Sequence, residues 1–464
     1  MRNLARRFVV LAVLCILLFS LSATASALSP AQEYLLKDSH VIKQDGWSLV
    51  HLEGVPYQVG FQRGYHTAES ADYLIKSYLG PAGDDYHNLS RIIAKKYLWN
   101  RIPREYQREL EGIAAGLRAR GYTWDIWDVV AVNAWADQGM YEEIYEEEKG
   151  SRCSAFIATG DATADGKIVI GHNTWCPYNE DFMYPIIYHV VPAEGHAFRY
   201  QGAGGTIWSG QDWYVNETGL MVTETSLSND ARDPEGIPVF VRIRKAVQYA
   251  DSIDGFLQIM LEGNNGAYPN QWLIGDAKTG EIASLQLGLK AYDLHRTFNG
   301  SYFSSNHPSG QKFRNEAKSL EPDPMDYRYA RYVRWGQLKE KWYGKVDAEA
   351  GKMMLSDHYD TYLGIEQPSA RTICGHKEAE REDPDQMVPS GAYDGKVTTS
   401  DMVLDGMAMW ARWGHPCGQP FDAELFMTTH PEWVEGHDDF AVMGLRIFDA
   451  ETPNPWTMVE DFQK

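Results

Sequence analysis

Positive charge is scarce in this chain: 43 lysines and arginines stand against 64 aspartates and glutamates, a formal net charge of −21. A surface that acidic repels nucleic acid and no basic run offsets it, so no nucleic-acid partner is expected and the acidity serves solubility. Long apolar runs are missing beyond the start. Phe8 to Leu21 is almost wholly apolar, follows Arg2, Arg6 and Arg7, and is succeeded by Ala25-Ser26-Ala27. That is the layout of a secretory leader, and the run is short of the ~20 residues that a membrane span needs. Residues 1–27 are therefore expected to be removed, leaving an exported, extracytoplasmic or secreted protein without stable membrane insertion. Cysteine is also rare, with five in the chain, of which Cys15 leaves with the leader. No CxxC or Cys/His spacing among the remaining Cys153, Cys176, Cys374 and Cys417 resembles a zinc site, so no metal and no cofactor is expected. If Cys153 works as a free thiol, at most one bridge forms among the other three, and Cys374–Cys417 is the expected pair.

What is present is core-forming material. Apolar residues make up 44% and aromatics 12%, which excludes disorder. Residues 48–61 read as a strand and turn entering a helix, and 66–120 are helical in pattern. "REYQRELEGIAAGLRARG" sets Leu110, Ile113, Ala114 and Leu117 at helical spacing and stops at Gly121. "DIWDVVAVNAWADQ" continues in the same style. The charged run "MYEEIYEEEKGSR" then reads as an exposed, cuttable loop. After it the texture changes to short β-rich runs divided by Gly, Asn and Asp, such as "CSAFIAT", "GKIVIGHNT" and "DWYVNETGLMVTETSL". "NQWLIGDAKTGEIASLQLG" reads as a hairpin turning at Lys278-Thr279-Gly280. Helical segments are expected at about 326–354 and at 400–413. The organisation is a leader (1–27), a helical front (28–152) and a β-rich body (153–464).

The boundary falls at Cys153. An ordinary thiol, with a pKa of ~8.5, is mostly protonated at neutral pH and needs a base. No Cys-His-Asn protease signature surrounds Cys153. A cut between Arg152 and Cys153 supplies a base without any histidine, because the new α-amine titrates at ~7.7–8 beside the thiol. A small buried cysteine in a strand is the commoner state of a lone cysteine and is the reading that Cys153 alone favours.

Further motifs bear on the choice. Cys153-Ser154-Ala155, His172-Asn173-Thr174-Trp175, "GGTIWSGQDWYVNETGLMVTETS", Tyr268-Pro269-Asn270-Gln271-Trp272, "DYRYARYVRW" and "GAYDGKVTTSDMV" follow in order. Together they resemble the phospholipase B-like family of N-terminal-nucleophile hydrolases. "GVPYQVGFQRG", "LEGIAAG" and "SARTICGH" also resemble the wider cysteine acyltransferase group that includes the penicillin-side-chain acyltransferase. The resemblance implies an α+β chain folded as a four-layer αββα sandwich of two antiparallel sheets between helical layers. It also implies autoproteolysis into Leu28–Arg152 and Cys153–Lys464, which stay partners.

Roles follow from it. Cys153 supplies the nucleophile and, once cut, the base. Asn270 offers an amide N–H for the oxyanion, set against a plain turn asparagine. His172 orients the amine or substrate, and Trp175 walls the pocket or simply fills the core. Thr223 and Thr225 share one strand face, with Glu224 on the other, and are expected to meet substrate. Arg328 or Arg331 binds an anionic group or holds the Asn270 loop, a surface ion pair being the plainer alternative. His376 and the Asp357-His358 pair read as solvated. Cys176 departs from the family pattern as a second thiol near the site. The implied activity is deacylation of a small-molecule or lipid acyl substrate. The alternatives are an N-acyl amidase or acyltransferase, and a catalytically silent secreted binding protein.

Overall fold

The computed structural model describes residues 27–141, 152–178, 184–318, 322–379, 390–429, 454–460 and 462. The expected leader and nearly all of the acidic loop lie outside them. Among the described residues no helix is long and apolar enough to cross a membrane.

The front segment begins with the short helix Pro30–Leu35, followed by a hairpin, β1 (His40–Gln44) and β2 (Trp47–Gly54). Its two turn residues, Asp45 and Gly46, have φ of 45° and 86°, the doubly left-handed turn that suits the strand twist. Helices Pro56–His66, Ala68–Leu79, Arg104–Ala119 and Ile126–Asn133 follow. The third starts after Pro103 and gives way at Gly121, whose φ of 89° ends helical geometry where the sequence predicts a stop. In the fourth, Asp125 caps the first turn, bonding the Trp127 N–H at 2.8 Å.

The body supplies β3 (Arg152–Gly160), β4 (Gly166–Pro177), β5 (Ile186–Pro192), β6 (Phe198–Gln201), β7 (Trp213–Asn216) and β8 (Leu220–Ser226). After helices Val239–Tyr249 and Ile253–Leu261 come β9 (Asn270–Asp276), β10 (Glu281–Leu287), β11 (Tyr292–Thr297) and β12 (Gly300–Ser304). Helices Tyr327–Trp342 and Ala348–Leu355 precede a small hairpin, β13 (Tyr359–Asp360) and β14 (Ile365–Glu366), and then β15 (Ser390–Ala392), β16 (Asp394–Thr399), β17 (Met409–Trp413) and β18 (Thr457–Val459).

Two large sheets result. The first runs β1-β2-β5-β6-β7-β8-β9-β10-β11, and the second β12-β3-β4-β16-β17-β18 with β15 against the end of β4. All neighbours are antiparallel except β2 and β5. The sheets pack face to face: a Cβ on Gly275 of β9 would lie 3.1 Å from Ile157 of β3 and 3.3 Å from Ile168 of β4. Helices close both outer faces. Phe256 meets Trp272 of the first sheet edge-on at 5.9 Å, and Trp335 packs on Phe156 of the second at 5.7 Å. The expected αββα sandwich is the observed one.

The front segment is not purely helical, since β2 enters the first sheet by pairing with β5. Its helices Pro56–His66 and Arg104–Ala119 approach until only glycine fits. A Cβ on Gly60 would sit 1.9 Å from the Glu109 carbonyl oxygen, and one on Gly112 2.2 Å from that of Tyr57. Between the same helices Glu109 bonds Arg63 at 2.8 Å and, on the helix Val239–Tyr249, Arg244 at 2.9 Å, all three buried. The expected helix at 400–413 is corrected. Only Ser400–Leu404 is helical; Gly406 turns the chain, and Met409–Trp413 is strand β17, with alternating burial and edges on β16 and β18. The helix-rich segment expected at about 326–354 holds two helices, Tyr327–Trp342 and Ala348–Leu355, with Gly344 at φ of 74° between them.

Candidate active site

Cys153 takes the second position of β3, opposite Thr174 of β4 and fully buried between the sheets. Its backbone N–H donates to Asn306 Oδ1 at 2.9 Å, and its thiol donates to Asp212 Oδ2 at 3.5 Å. Its carbonyl accepts from Arg331 Nη1, which also donates to Ser154 Oγ at 2.9 Å, while Nη2 donates to Asn306 Oδ1 at 3.0 Å. One asparagine oxygen therefore joins the cysteine nitrogen to a buried guanidinium.

Two residues that hold the thiol and amide stand in left-handed backbone. Asp212 has φ of 62° and Asn306 φ of 64°, a conformation that Asp and Asn tolerate better than other side chains. Each is pinned by a threonine of β8. Thr223 Oγ1 donates to the Asp212 carbonyl at 2.6 Å, and Thr225 Oγ1 accepts the Asn306 N–H at 3.2 Å. Both hydroxyls thus lie on the β8 face toward the second sheet, as alternation predicts. Their bonds go to the residues flanking Cys153, so they position the site.

His172 shares the Cys153 face of the second sheet. Its ring, the Cys153 sulfur and the Asp212 carboxylate approach within 4.8 Å of one another. Next to it on β16, the buried Lys396 ammonium bonds Thr174 Oγ1 at 2.9 Å, Gln201 Oε1 at 2.6 Å and Asp394 Oδ2 at 3.0 Å. Burial, reinforced by that ammonium, holds the His172 pKa well below its usual value, so the ring is neutral. Burial raises Asp212 to about 6. Burial and then the Asp212 charge push Glu224 well above the carboxylate range, so Glu224 keeps its proton. Burial first, then the charge of Asp212, pushes the Cys153 thiol up as well. In the uncut chain the sulfur is a protonated donor.

The other expected residues divide. Trp175 is buried, with the Arg331 guanidinium stacked 4.2 Å over its ring. Asn270 opens β9 opposite Ser226, fully buried, and among the described residues neither amide atom has a hydrogen-bond partner. Arg328 lies elsewhere, bonded through Nε to Asp326 at the start of its helix. The arginine that reaches Cys153 is Arg331, one helical turn on. Arg152 pairs its backbone with Trp175. Cys176 is buried one residue beyond it. Cys374 and Cys417 are free thiols, not the expected disulfide, and His376 is buried and not solvated. Sequence reasoning passed over Asp212 and Asn306. Asp212 lies inside the motif "SGQDWY", but only its turn geometry aims it at sulfur; Asn306, in "SSNHPSG", has no local mark beyond a turn-forming residue after a strand.

The phospholipase B family profile matches residues 115–291. The resemblance to the phospholipase B-like family holds. The matched segment contains Cys153, His172, Trp175, Asp212, Thr223, Thr225 and Asn270, whereas Asn306 and Arg331 lie beyond it. Phospholipase B from Crotalus adamanteus is 25% identical over 292 residues, 56% of this chain and 51% of that protein. Phospholipase B-like protein C from Dictyostelium discoideum is 27% identical over 142 residues, 28% of this chain and 25% of its own. An uncharacterized protein from Archaeoglobus fulgidus is 27% identical over 278 residues, 53% of this chain and 44% of its own. The chain thus spans about a quarter to a half of the length of these relatives. Among solved structures, a mutant of the conjugated bile acid hydrolase from Clostridium perfringens aligns with 56% of this chain and 89% of its own, at 12% identity and a TM-score of 0.32.

Proposed function

We propose that this chain is an exported acyl hydrolase that uses Cys153 as an N-terminal nucleophile on ester or amide carbonyls. The observation that carries the reading is the pair of bonds at Cys153: its nitrogen on Asn306 Oδ1 and its sulfur on Asp212 Oδ2. A thiol held protonated by burial is inert until a base arrives, and an amide nitrogen is not one. For the cut, the Asp212 carboxylate bonded to the thiol takes its proton, Sγ attacks the Arg152 carbonyl carbon, and the proton passes to the departing Cys153 nitrogen as the peptide bond is exchanged for a thioester. Water then releases the Arg152 carboxylate and leaves Cys153 with a free amine. That amine keeps the Asn306 acceptor, so its lone pair stays beside the sulfur. In turnover it takes the thiol proton, the thiolate forms the acyl thioester, and the ammonium returns the proton to the leaving group. Asn270, buried with an unused amide, is the donor available to the oxyanion. Neutral His172 shapes the pocket and does not compete as base.

The acyl donor is a glycerophospholipid ester in this reading, with N-acyl amides as the alternative class. The test is intact mass and N-terminal sequencing of the exported protein beside Cys153→Ala, with fatty-acid release measured from phosphatidylcholine and from an N-acyl amino acid. Two chains and acyl release are expected for the wild type only. A single uncut wild-type chain, with acyl release no different from that of the alanine variant, removes the mechanism.

A further inference from the structure

His358, Cys374, His376 and Cys417 converge from three separate stretches of chain onto one point. His358 follows the helix Ala348–Leu355, Cys374 and His376 flank the turn before β15, and Cys417 lies in the turn after β17. One potential ligand atom from each lies within 4.8 Å of all the others. His358 Nε2 is 3.2 Å from His376 Nε2, and Cys417 Sγ is 3.6 Å from His376 Nε2. A tetrahedral zinc ion with ordinary bond lengths spaces its ligands about 3.3 Å apart for two nitrogens and about 3.6 Å for nitrogen and sulfur.

A second feature points the same way. The other ring nitrogen of His376, Nδ1, lies 2.8 Å from Glu378 Oε1, and Tyr178 donates to Glu378 Oε2 at 2.7 Å. A carboxylate on Nδ1–H fixes the tautomer that turns the Nε2 lone pair toward the cluster, the outer-shell arrangement typical of metal-bound histidine. The Cys374 N–H donates to the Asp357 carbonyl at 3.1 Å, which ties two of the three stretches together beside the ligands.

We propose that these four residues bind one zinc ion as a closed, structural Cys2His2 site, independent of chain cleavage. Two thiols and two imidazoles fill the tetrahedron, so no position is open to substrate. Cys374 and His376 are buried while His358 and Cys417 are half-buried, which gives the ion an entry side. Binding releases the two thiol protons to solvent. The ion staples the turn at 374–376 to the turn at 415–418. Between its two ligands, Gly375 has φ of 53° and presses on Trp175, whose ring lies 2.0 Å from where a Cβ would be. The staple therefore backs the tryptophan on which Arg331 stacks. The set is invisible as a sequence motif because Cys417 lies 41 residues beyond His376.

The experiment uses the full exported chain, purified without chelator, with zinc counted by mass spectrometry and thiols by alkylation. One zinc per chain is expected, with Cys374 and Cys417 protected from alkylation until a strong chelator is added. Cobalt(II) added to the chelated protein should give the intense visible bands of tetrahedral thiolate coordination, a readout that needs no variant. Glu378→Gln should weaken zinc binding roughly 10–100-fold with the fold retained, and His358→Ala should lose the ion. A Cys374–Cys417 disulfide in the native protein, a reduced chain that takes up neither zinc nor cobalt, or undiminished zinc in His358→Ala would each overturn the proposal.

Discussion

The sulfur of Cys153 and the carboxylate of Asp212 meet at 3.5 Å although they belong to different sheets. Cys153 rides on β3 of the second sheet, and Asp212 lies just before β7 of the first. The contact exists only when the two sheets are stacked, and it makes the thiol sensitive to the charge of one buried acid.

Asp212→Asn should slow chain cleavage by roughly 100-fold or more, the usual scale for a lost proton-handling group. Cleavage of the wild type should slow as pH falls through about 6, where Asp212 titrates. The variant should lack that limb. The same substitution should raise the melting temperature at pH 7.5. The carboxyl holds its proton more tightly in the folded state than in the unfolded, so its favourable contribution is complete below the unfolded pKa of ~3.9 and is lost as pH rises through about 6. Calorimetry at pH 5 and 7.5 checks the sign.

Asn306→Gly keeps the left-handed backbone, φ of 64°, and removes the oxygen shared by the Cys153 nitrogen and Arg331. Chain cleavage should slow at least ~10-fold, with a loss of about 1–3 kcal/mol from the guanidinium left short of a partner. Time-resolved electrophoresis of newly made protein, with a urea titration, separates the two effects.

Arg331→Met should be worse. The Cys153 carbonyl, Ser154 Oγ and Asn306 Oδ1 all lose a buried donor, and Trp175 loses the cation over its ring. A loss of about 3 kcal/mol or more is expected from the unsatisfied acceptors. Arg328→Met, by contrast, should leave cleavage unchanged, because that side chain pairs with Asp326.

Glu109→Gln tests how the two chains stay together after a cut. Its carboxylate accepts from Arg63 of the front segment and Arg244 of the body, all within the protein interior. Neutralising it leaves two buried cations without their counter-charge, and about 3–5 kcal/mol should be lost in a guanidinium titration. The processed variant should separate into its chains at lower denaturant than the wild type on size exclusion.

Gly60→Ala should destabilise by at least ~1–3 kcal/mol, because the new Cβ is aimed at a backbone carbonyl that cannot rotate away. A shift in the urea midpoint at unchanged slope is the expected signature.

Local physics made several features legible in advance. Periodicity marked the front helices and the β texture after Cys153, Gly121 and Gly280 marked ends and turns, and the alternation of Thr223, Glu224 and Thr225 assigned both hydroxyls to one face. The resemblance, not local physics, named Cys153, His172 and Trp175, and the pairing of β3 with β4 sets their strands side by side. Tertiary structure alone decided that Asp212, Asn306 and Arg331 complete the surroundings of the thiol, that Thr223 and Thr225 serve those residues, and that Arg331 rather than Arg328 points inward. It also decided that Met409–Trp413 is a strand, because pairing on both edges outweighs the short helical signal beside it. The division has a physical cause. Helices and hairpins are selected by contacts between residues a few positions apart, whereas the buried site depends on the stacking of two sheets, which brings together groups 59 to 178 positions distant in the chain.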